Sequence, residues 1–129
     1  MGVRVLLVDD QEEARSSLAQ RLRRSKGIEL VGAVADAPAA SLIAKQQDPD
    51  VLLVDVHHRD GAELELCESL HRANAAPLVA LVSYITPERW RQLSKVGVVD
   101  FVLKHVDTAM LERDLTRLVE RRRGASGSG

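Results

Sequence analysis

Three aspartates stand directly after unbroken apolar runs. Asp9 and Asp10 follow Val5-Leu6-Leu7-Val8, and Asp55 follows Val51-Leu52-Leu53-Val54. A short run without polar alternation is the pattern of a strand covered on both faces. Acids that end two such strands gather at one edge of a parallel sheet. Carboxylates held that close repel one another, and a hard divalent cation with oxygen ligands relieves the repulsion. A carboxylate can also act as a nucleophile and form an acyl phosphate. Two further groups end apolar runs in the same way. Ser83 follows Leu78-Val79-Ala80-Leu81-Val82, and Lys104 closes a run from Val98 that only Asp100 interrupts. A hydroxyl donates to an oxyanion, and a lysine supplies a compact, mobile positive charge. Taken singly, each residue has a plainer use. Aspartates cap helices and open turns, a serine satisfies backbone, and a lysine is solvated. The chemistry lies in the set, with Asp55 at its centre.

The elements that position this set follow from hydrophobic periodicity. Strands are predicted over residues 4–8, 28–34, 51–55, 78–82 and 98–103, the second of them with the mixed pattern of an edge strand. The first helix, over residues 12–24, carries acids early and bases late, as the helix dipole favours, and Ala14, Leu18 and Leu22 give it one apolar stripe. Asp36, followed by Pro38, starts a second helix that runs over residues 39–47 and turns Ala40, Ile43 and Ala44 inward. The third covers residues 62–72, with Leu64, Leu66, Cys67 and Leu70 for packing, and Cys67 reads as a small core residue. Thr86 and Pro87 start the fourth, which runs to about Lys95. Trp90 and Leu93 on this otherwise polar helix read as a half-exposed contact patch, with ordinary packing as the alternative. Asp107 or Thr108 caps the last helix, where Met110, Leu111, Leu115, Leu118 and Val119 form the buried stripe. Residues 121–123 are all arginine and read as a solvated helix end. Residues 124–129 have linker composition and are read as a flexible tail outside a single domain of residues 1–123. Strand and helix thus alternate through the chain, which implies an α/β fold with a parallel sheet covered on both faces. Such sheets bind ligands at the carboxyl ends of their strands.

Bulk properties narrow the function classes. At 129 residues, with 45% apolar and 29% charged residues, the chain suits one globular domain with a real core. A net charge of -1 draws it neither to nucleic acid nor to a membrane surface. A single cysteine excludes an internal disulfide and suits a cytoplasmic location. No signal peptide is expected, and no run approaches the roughly 20 apolar residues that span a bilayer. Tyr84, Trp90 and Phe101 are the only aromatics, so the core is aliphatic and a base-stacking surface is not expected.

The acidic pair after the first strand, the aspartate ending the third, the hydroxyl after the fourth and the lysine after the fifth form an ordered set. In this the chain resembles the receiver domain of bacterial two-component response regulators, from residue 3 to about 122. The resemblance implies a doubly wound five-stranded sheet of order 2-1-3-4-5. It implies phosphoryl transfer to Asp55 from a histidine kinase or phosphotransfer protein. Asp9, Asp10, Asp55 and the backbone carbonyl of His57 would hold Mg²⁺. Ser83 and Lys104 would bind the phosphoryl oxygens, and Phe101 would be the aromatic that turns inward on activation. The phosphoryl adds roughly 1.5 to 2 negative charges at one point, enough to bias a two-state loop. An effector domain or partner protein downstream is implied, and a homodimer through the last helices is compatible with the family.

The chain departs from the family pattern around the site. His58 and Arg59 stand where Met-Pro usually follows the acceptor, and Glu63 stands at the usual glycine. Tyr84 replaces a small residue, and His105 replaces the proline whose cis peptide the family carries. Tyr84 and His58 would control access to the site, with Tyr84 narrowing the entrance. Two rival readings remain. One is a receiver-like module that binds proteins without being phosphorylated. The other is a metal-dependent phosphohydrolase with an aspartyl nucleophile. Such enzymes usually carry a second acid two residues on, where this chain has His57.

Overall fold

A computed structural model describes residues 2–57 and 61–127. The elements run β1 (Val3–Val8), α1 (Glu12–Arg23), β2 (Ile28–Val34), α2 (Ala37–Gln47), β3 (Val51–Asp55), α3 (Ala62–Ala73), β4 (Leu78–Val82), α4 (Pro87–Lys95), β5 (Val98–Leu103) and α5 (Thr108–Gly127). The strands form one parallel sheet of order β2-β1-β3-β4-β5. This is the doubly wound topology expected from the sequence, with β2 at an edge. Helix α5 continues beyond Arg123, through the glycine- and serine-bearing stretch as far as Gly127.

Alternation along the central strands divides the aliphatic core in two. Val5 and Leu7 of β1 and Val51 and Leu53 of β3 join Leu18 and Leu22 of α1 and Leu111 and Leu115 of α5. Leu6, Val8, Leu52 and Val54 face the other way, toward Ala40 of α2, Cys67 and Leu70 of α3 and Leu93 of α4. Both faces of β1, β3 and β4 are therefore closed to water, as unbroken apolar runs demand. Burial pushes the Cys67 thiol up to about 12, helped by the nearby Glu63 carboxylate. A thiol held that far up is inert.

Helix starts follow the capping residues. Asp36 Oδ1 accepts from Ala39 N at 2.9 Å, Thr86 Oγ1 from Arg89 N at 3.1 Å, and Asp107 Oδ1 from Met110 N at 2.8 Å. Gly97 takes φ +105° where α4 gives way to β5, and a Cβ there would lie 2.2 Å from the His71 ring.

Three expectations about packing need correction. Leu93 is fully buried, so it is core and no part of a surface patch. Trp90 lies against Phe101 of β5, ring centroids 5.5 Å apart and planes tilted by 60°. An edge-tilted pair of this kind is a packing contact. It gives a helix with few apolar residues its hold on the sheet. Met110 is exposed at 42%, because the buried stripe of α5 begins one residue later at Leu111.

Candidate functional site

Strand register assembles the site. Val8 pairs with Val54, so the next residues, Asp9 and Asp55, come side by side. Val82 pairs with Leu103, which brings Ser83 beside Lys104. Backbone hydrogen bonds continue the parallel pairing past the strand ends. Asp9 N donates to Val34 O at 2.9 Å, Val56 N to Leu81 O at 2.9 Å, and Lys104 N to Val82 O at 2.8 Å. The chemistry-bearing residues thus rest on backbone as rigid as the sheet.

Asp55 is buried at the end of β3, and Lys104 Nζ donates to both its carboxylate oxygens at 2.8 Å. Asp9 is also buried. Its Oδ1 accepts from Gln11 N at 2.9 Å and lies 2.9 Å from His57 Nε2. The same ring nitrogen is 3.7 Å from Asp55 Oδ2. One ligand atom from each of Asp9, Asp55 and His57 falls within a sphere of contacts no wider than 4.8 Å. Burial raises the Asp55 carboxyl above the ordinary carboxylate range. Lys104 pulls it the other way by hydrogen bonding and charge, and Asp9 pushes it up again.

The site residues expected from the sequence do not all converge. Asp10 is exposed and lies outside the group formed by Asp9, Asp55 and His57. β1 ends at Val8, and its pairing is carried one residue further, by Asp9 N to Val34 O. The His57 ring joins Asp9 and Asp55 in that group. Ser83 is exposed, and its Oγ lies 3.0 Å from His105 Nε2. Phe101 is half-buried against Trp90. Tyr84 is exposed at 58%. His58 lies outside the described residues. No cis peptide bond occurs among the described residues, the Lys104–His105 bond included.

Several residues support the site in ways the sequence did not reveal. Arg21 of α1 reaches across to the segment after β5. It donates to Thr108 Oγ1 at 3.1 Å, to Lys104 O at 2.8 Å and to Val106 O. Nothing local marks an arginine whose partners lie more than eighty residues away. Glu63 of α3 is buried, and its Oε2 accepts from His57 N at 2.5 Å. Arg89 of α4 stands 3.7 Å from the other oxygen of Glu63. An acid in the first turn of a helix reads as a dipole complement, which hides a buried role of this kind.

The donor set suits a hard divalent cation. Asp9 Oδ2 is a buried oxygen with no hydrogen-bond partner among the described residues. Leaving a charged acceptor so placed is costly, and a cation beside it removes the cost.

The chain is thus a doubly wound, flavodoxin-like α/β domain with a buried acid–lysine pair at the carboxyl edge of its sheet. The response regulator receiver domain model matches residues 5–116, and the chain belongs to that family. It is 35% identical over 119 residues to a protein-glutamate methylesterase/protein-glutamine glutaminase of Thiobacillus denitrificans, covering 87% of this chain and 33% of that protein. The chain therefore spans about a third of the length of that relative. Its fold is similar to the receiver domain of the response regulator NarL from Mycobacterium tuberculosis, with a TM-score of 0.70, 22% identity and coverage of 92% of this chain and 97% of that one. It is also similar to the response regulator domain of Thermotoga maritima CheB, with a TM-score of 0.65, 20% identity and coverage of 94% and 96%.

Proposed function

We propose that the chain is a phosphoacceptor switch that takes a phosphoryl group on Asp55. The observation that carries this reading is the Asp55 carboxylate itself. It is buried at a strand end, gripped at both oxygens by Lys104 and flanked by Asp9. An Asp55 oxygen attacks the phosphorus of a phosphohistidine on a kinase or phosphotransfer protein. The P–N bond breaks as the P–O bond forms, and the imidazole leaves neutral, keeping the proton already on its other ring nitrogen. Lys104 then trades one carboxylate oxygen for a phosphoryl oxygen, which its mobile ammonium permits. Ser83 gives up His105 and donates to a second phosphoryl oxygen. Asp9, with Asp55 and Asp10 at the exposed rim, would hold Mg²⁺. When bound, this ion offsets the charge of the incoming group.

The readout is a change in protein contacts on the β4–β5 side, passed to a further domain or to a partner protein. The similarity to longer relatives supports a further domain in the whole protein. Among the described residues no helix is long and apolar enough to cross a membrane. A cytoplasmic setting, where the kinase output domain works, is part of this proposal.

Incubation with Mg²⁺ and acetyl phosphate tests the reading by intact mass. The expected result is a gain of one phosphoryl group that EDTA or Asp55→Asn abolishes. No gain with small donors or with a phosphorylated histidine kinase would leave phosphorylation-independent binding as the better account.

A further inference from the structure

The third group in the pocket is a nitrogen donor. His57 follows Asp55 by two residues, and its ring turns back over the carboxylates. Nε2 lies 2.9 Å from Asp9 Oδ1 and 3.7 Å from Asp55 Oδ2. Two donors each about 2.1 Å from one small divalent ion lie about 3 Å apart at a right angle and about 3.4 Å apart at a tetrahedral one. From Nε2, both carboxylate oxygens therefore stand near the spacing of neighbouring ligands on a single ion. Asp9 Oδ2, buried and without a hydrogen-bond partner among the described residues, adds acceptor capacity at the same point. The His57 side chain is only 15% exposed. Its backbone is braced as well, since His57 N donates to the buried Glu63 carboxylate. The ring is thus held over the pocket rather than swinging in solvent.

We propose that His57 Nε2 is itself a metal ligand, making this pocket a mixed nitrogen–oxygen site that favours imidazole-binding divalent ions such as Co²⁺ or Ni²⁺ relative to Mg²⁺. The proposal rests on the metal-assisted reading given above and names the ion class that this pocket selects. Mg²⁺ takes oxygen ligands and gains little from an imidazole, whereas Co²⁺, Ni²⁺ and Zn²⁺ accept one readily. Any site with these donors binds Co²⁺ more tightly than Mg²⁺, so the bare preference decides nothing. What decides is how the preference changes when the ring is removed. The 2.9 Å contact has a rival meaning, in which a His57 N–H donates to Asp9 and the ring fills the place of a cation. A ligand and a competitor give opposite results on removal.

The test titrates the full chain with Mg²⁺ and with Co²⁺ by calorimetry, in wild type, His57→Ala, His57→Gln and Asp9→Asn. If the ring is a ligand, the ratio of Mg²⁺ to Co²⁺ dissociation constants falls by about tenfold or more in both His57 variants. The fall comes from weaker Co²⁺ binding, with Mg²⁺ affinity within about threefold of wild type. Proton NMR of the Co²⁺-loaded protein should show a paramagnetically shifted imidazole N–H resonance. It should be absent in both His57 variants and kept in His71→Ala. An unchanged ratio, or tighter binding of both ions in the His57 variants, overturns the proposal. If wild type binds neither ion and Asp9→Asn behaves identically, the metal-assisted reading fails, and this proposal with it. Mg²⁺ binding that Asp9→Asn abolishes, together with an unchanged ratio, overturns the role of His57 alone.

Discussion

Asp55→Asn is expected to stabilise the metal-free protein at about pH 8, although it removes one half of an ion pair. Three contributions set the sign. Lys104 Nζ lies 2.8 Å from both Asp55 oxygens, an attraction of about 6 kcal/mol at an effective dielectric constant of about 20. The lysine side chain is 21% exposed, so water screens part of that attraction. Against it stands Asp9, with a ligand oxygen no more than 4.8 Å from that of Asp55, a repulsion of about 3 kcal/mol or more on the same scale. Removing the Asp55 carboxylate from water costs several kcal/mol more. Burial and Asp9 together outweigh Lys104, which is why the carboxyl sits above its ordinary range. Asparagine keeps the shape and drops the charge, so the net gain is about 1 to 2 kcal/mol, or about 3 to 8 °C in Tm for a domain of this size.

The gain depends on pH in a defined direction. With its folded value raised, Asp55 binds a proton more readily in the native state than in the unfolded chain. Its stabilising contribution is full below the unfolded value of about 4 and is lost as pH rises through the folded value. Asparagine does not titrate there, so the advantage of the variant should vanish near pH 4 and grow toward pH 8. Urea denaturation in EDTA, followed by the fluorescence of Trp90, measures both ends. A variant less stable than wild type at about pH 8, or one with the same gain at both pH values, refutes the reasoning.

Arg21→Ala removes three hydrogen bonds to the segment between Lys104 and Thr108. It should cost about 2 kcal/mol in urea denaturation and slow phosphorylation by acetyl phosphate, with Arg21→Lys recovering little because a single ammonium cannot replace the fork. Phosphorylation at the wild-type rate would separate Arg21 from the positioning of Lys104. Glu63→Ala strips the His57 N–H of its acceptor and leaves Arg89 beside a void. A loss of about 2 to 3 kcal/mol is expected, against about 1 kcal/mol for Glu63→Gln, which keeps an acceptor; equal losses would argue against the hydrogen bond. Tyr84→Ala should shorten the lifetime of the phosphorylated protein by opening the entrance to water. An unchanged or longer lifetime rules out Tyr84 as the group that narrows it.

The strands and their order of appearance were legible because each central strand is covered on both faces and so reads as an unbroken apolar run. The helix starts were legible because Asp36, Thr86 and Asp107 cap in the usual way. The direction of individual side chains was not. Asp9 and Asp10 are equivalent in a sequence, yet only Asp9 is buried, because sheet pairing runs one residue past β1, where Asp9 N donates to Val34 O. Trp90 read as a patch because its helix is polar; its partner, Phe101, is on the neighbouring strand and eleven positions away. Met110 and Leu111 differ by one step of a helix, a distance that periodicity resolves poorly. The charged supports were least visible of all. Arg21 and Glu63 look like ordinary helix charges until the fold brings Lys104 and His57 to them.

Those supports explain how a loop without the family's usual residues still holds a pocket. On one side, Arg21 ties the carbonyl of Lys104 to α1, so the lysine enters the pocket from a fixed point. On the other, Glu63 fixes the backbone of His57 and meets Arg89 of α4. The usual glycine at the position of Glu63 would leave that backbone N–H to find another acceptor. A buried acid there supplies one, and the arginine offsets the cost of burying it. The two walls are therefore anchored in different helices, α1 for the lysine and α3 with α4 for the histidine. On the proposed function, charge added at Asp55 would pull on Lys104 and displace the ring of His57, and each movement would load a different helix. Substituting Arg21 and substituting Glu63 should then disturb separate parts of the response, the first the capture of the phosphoryl group and the second its transmission toward α4.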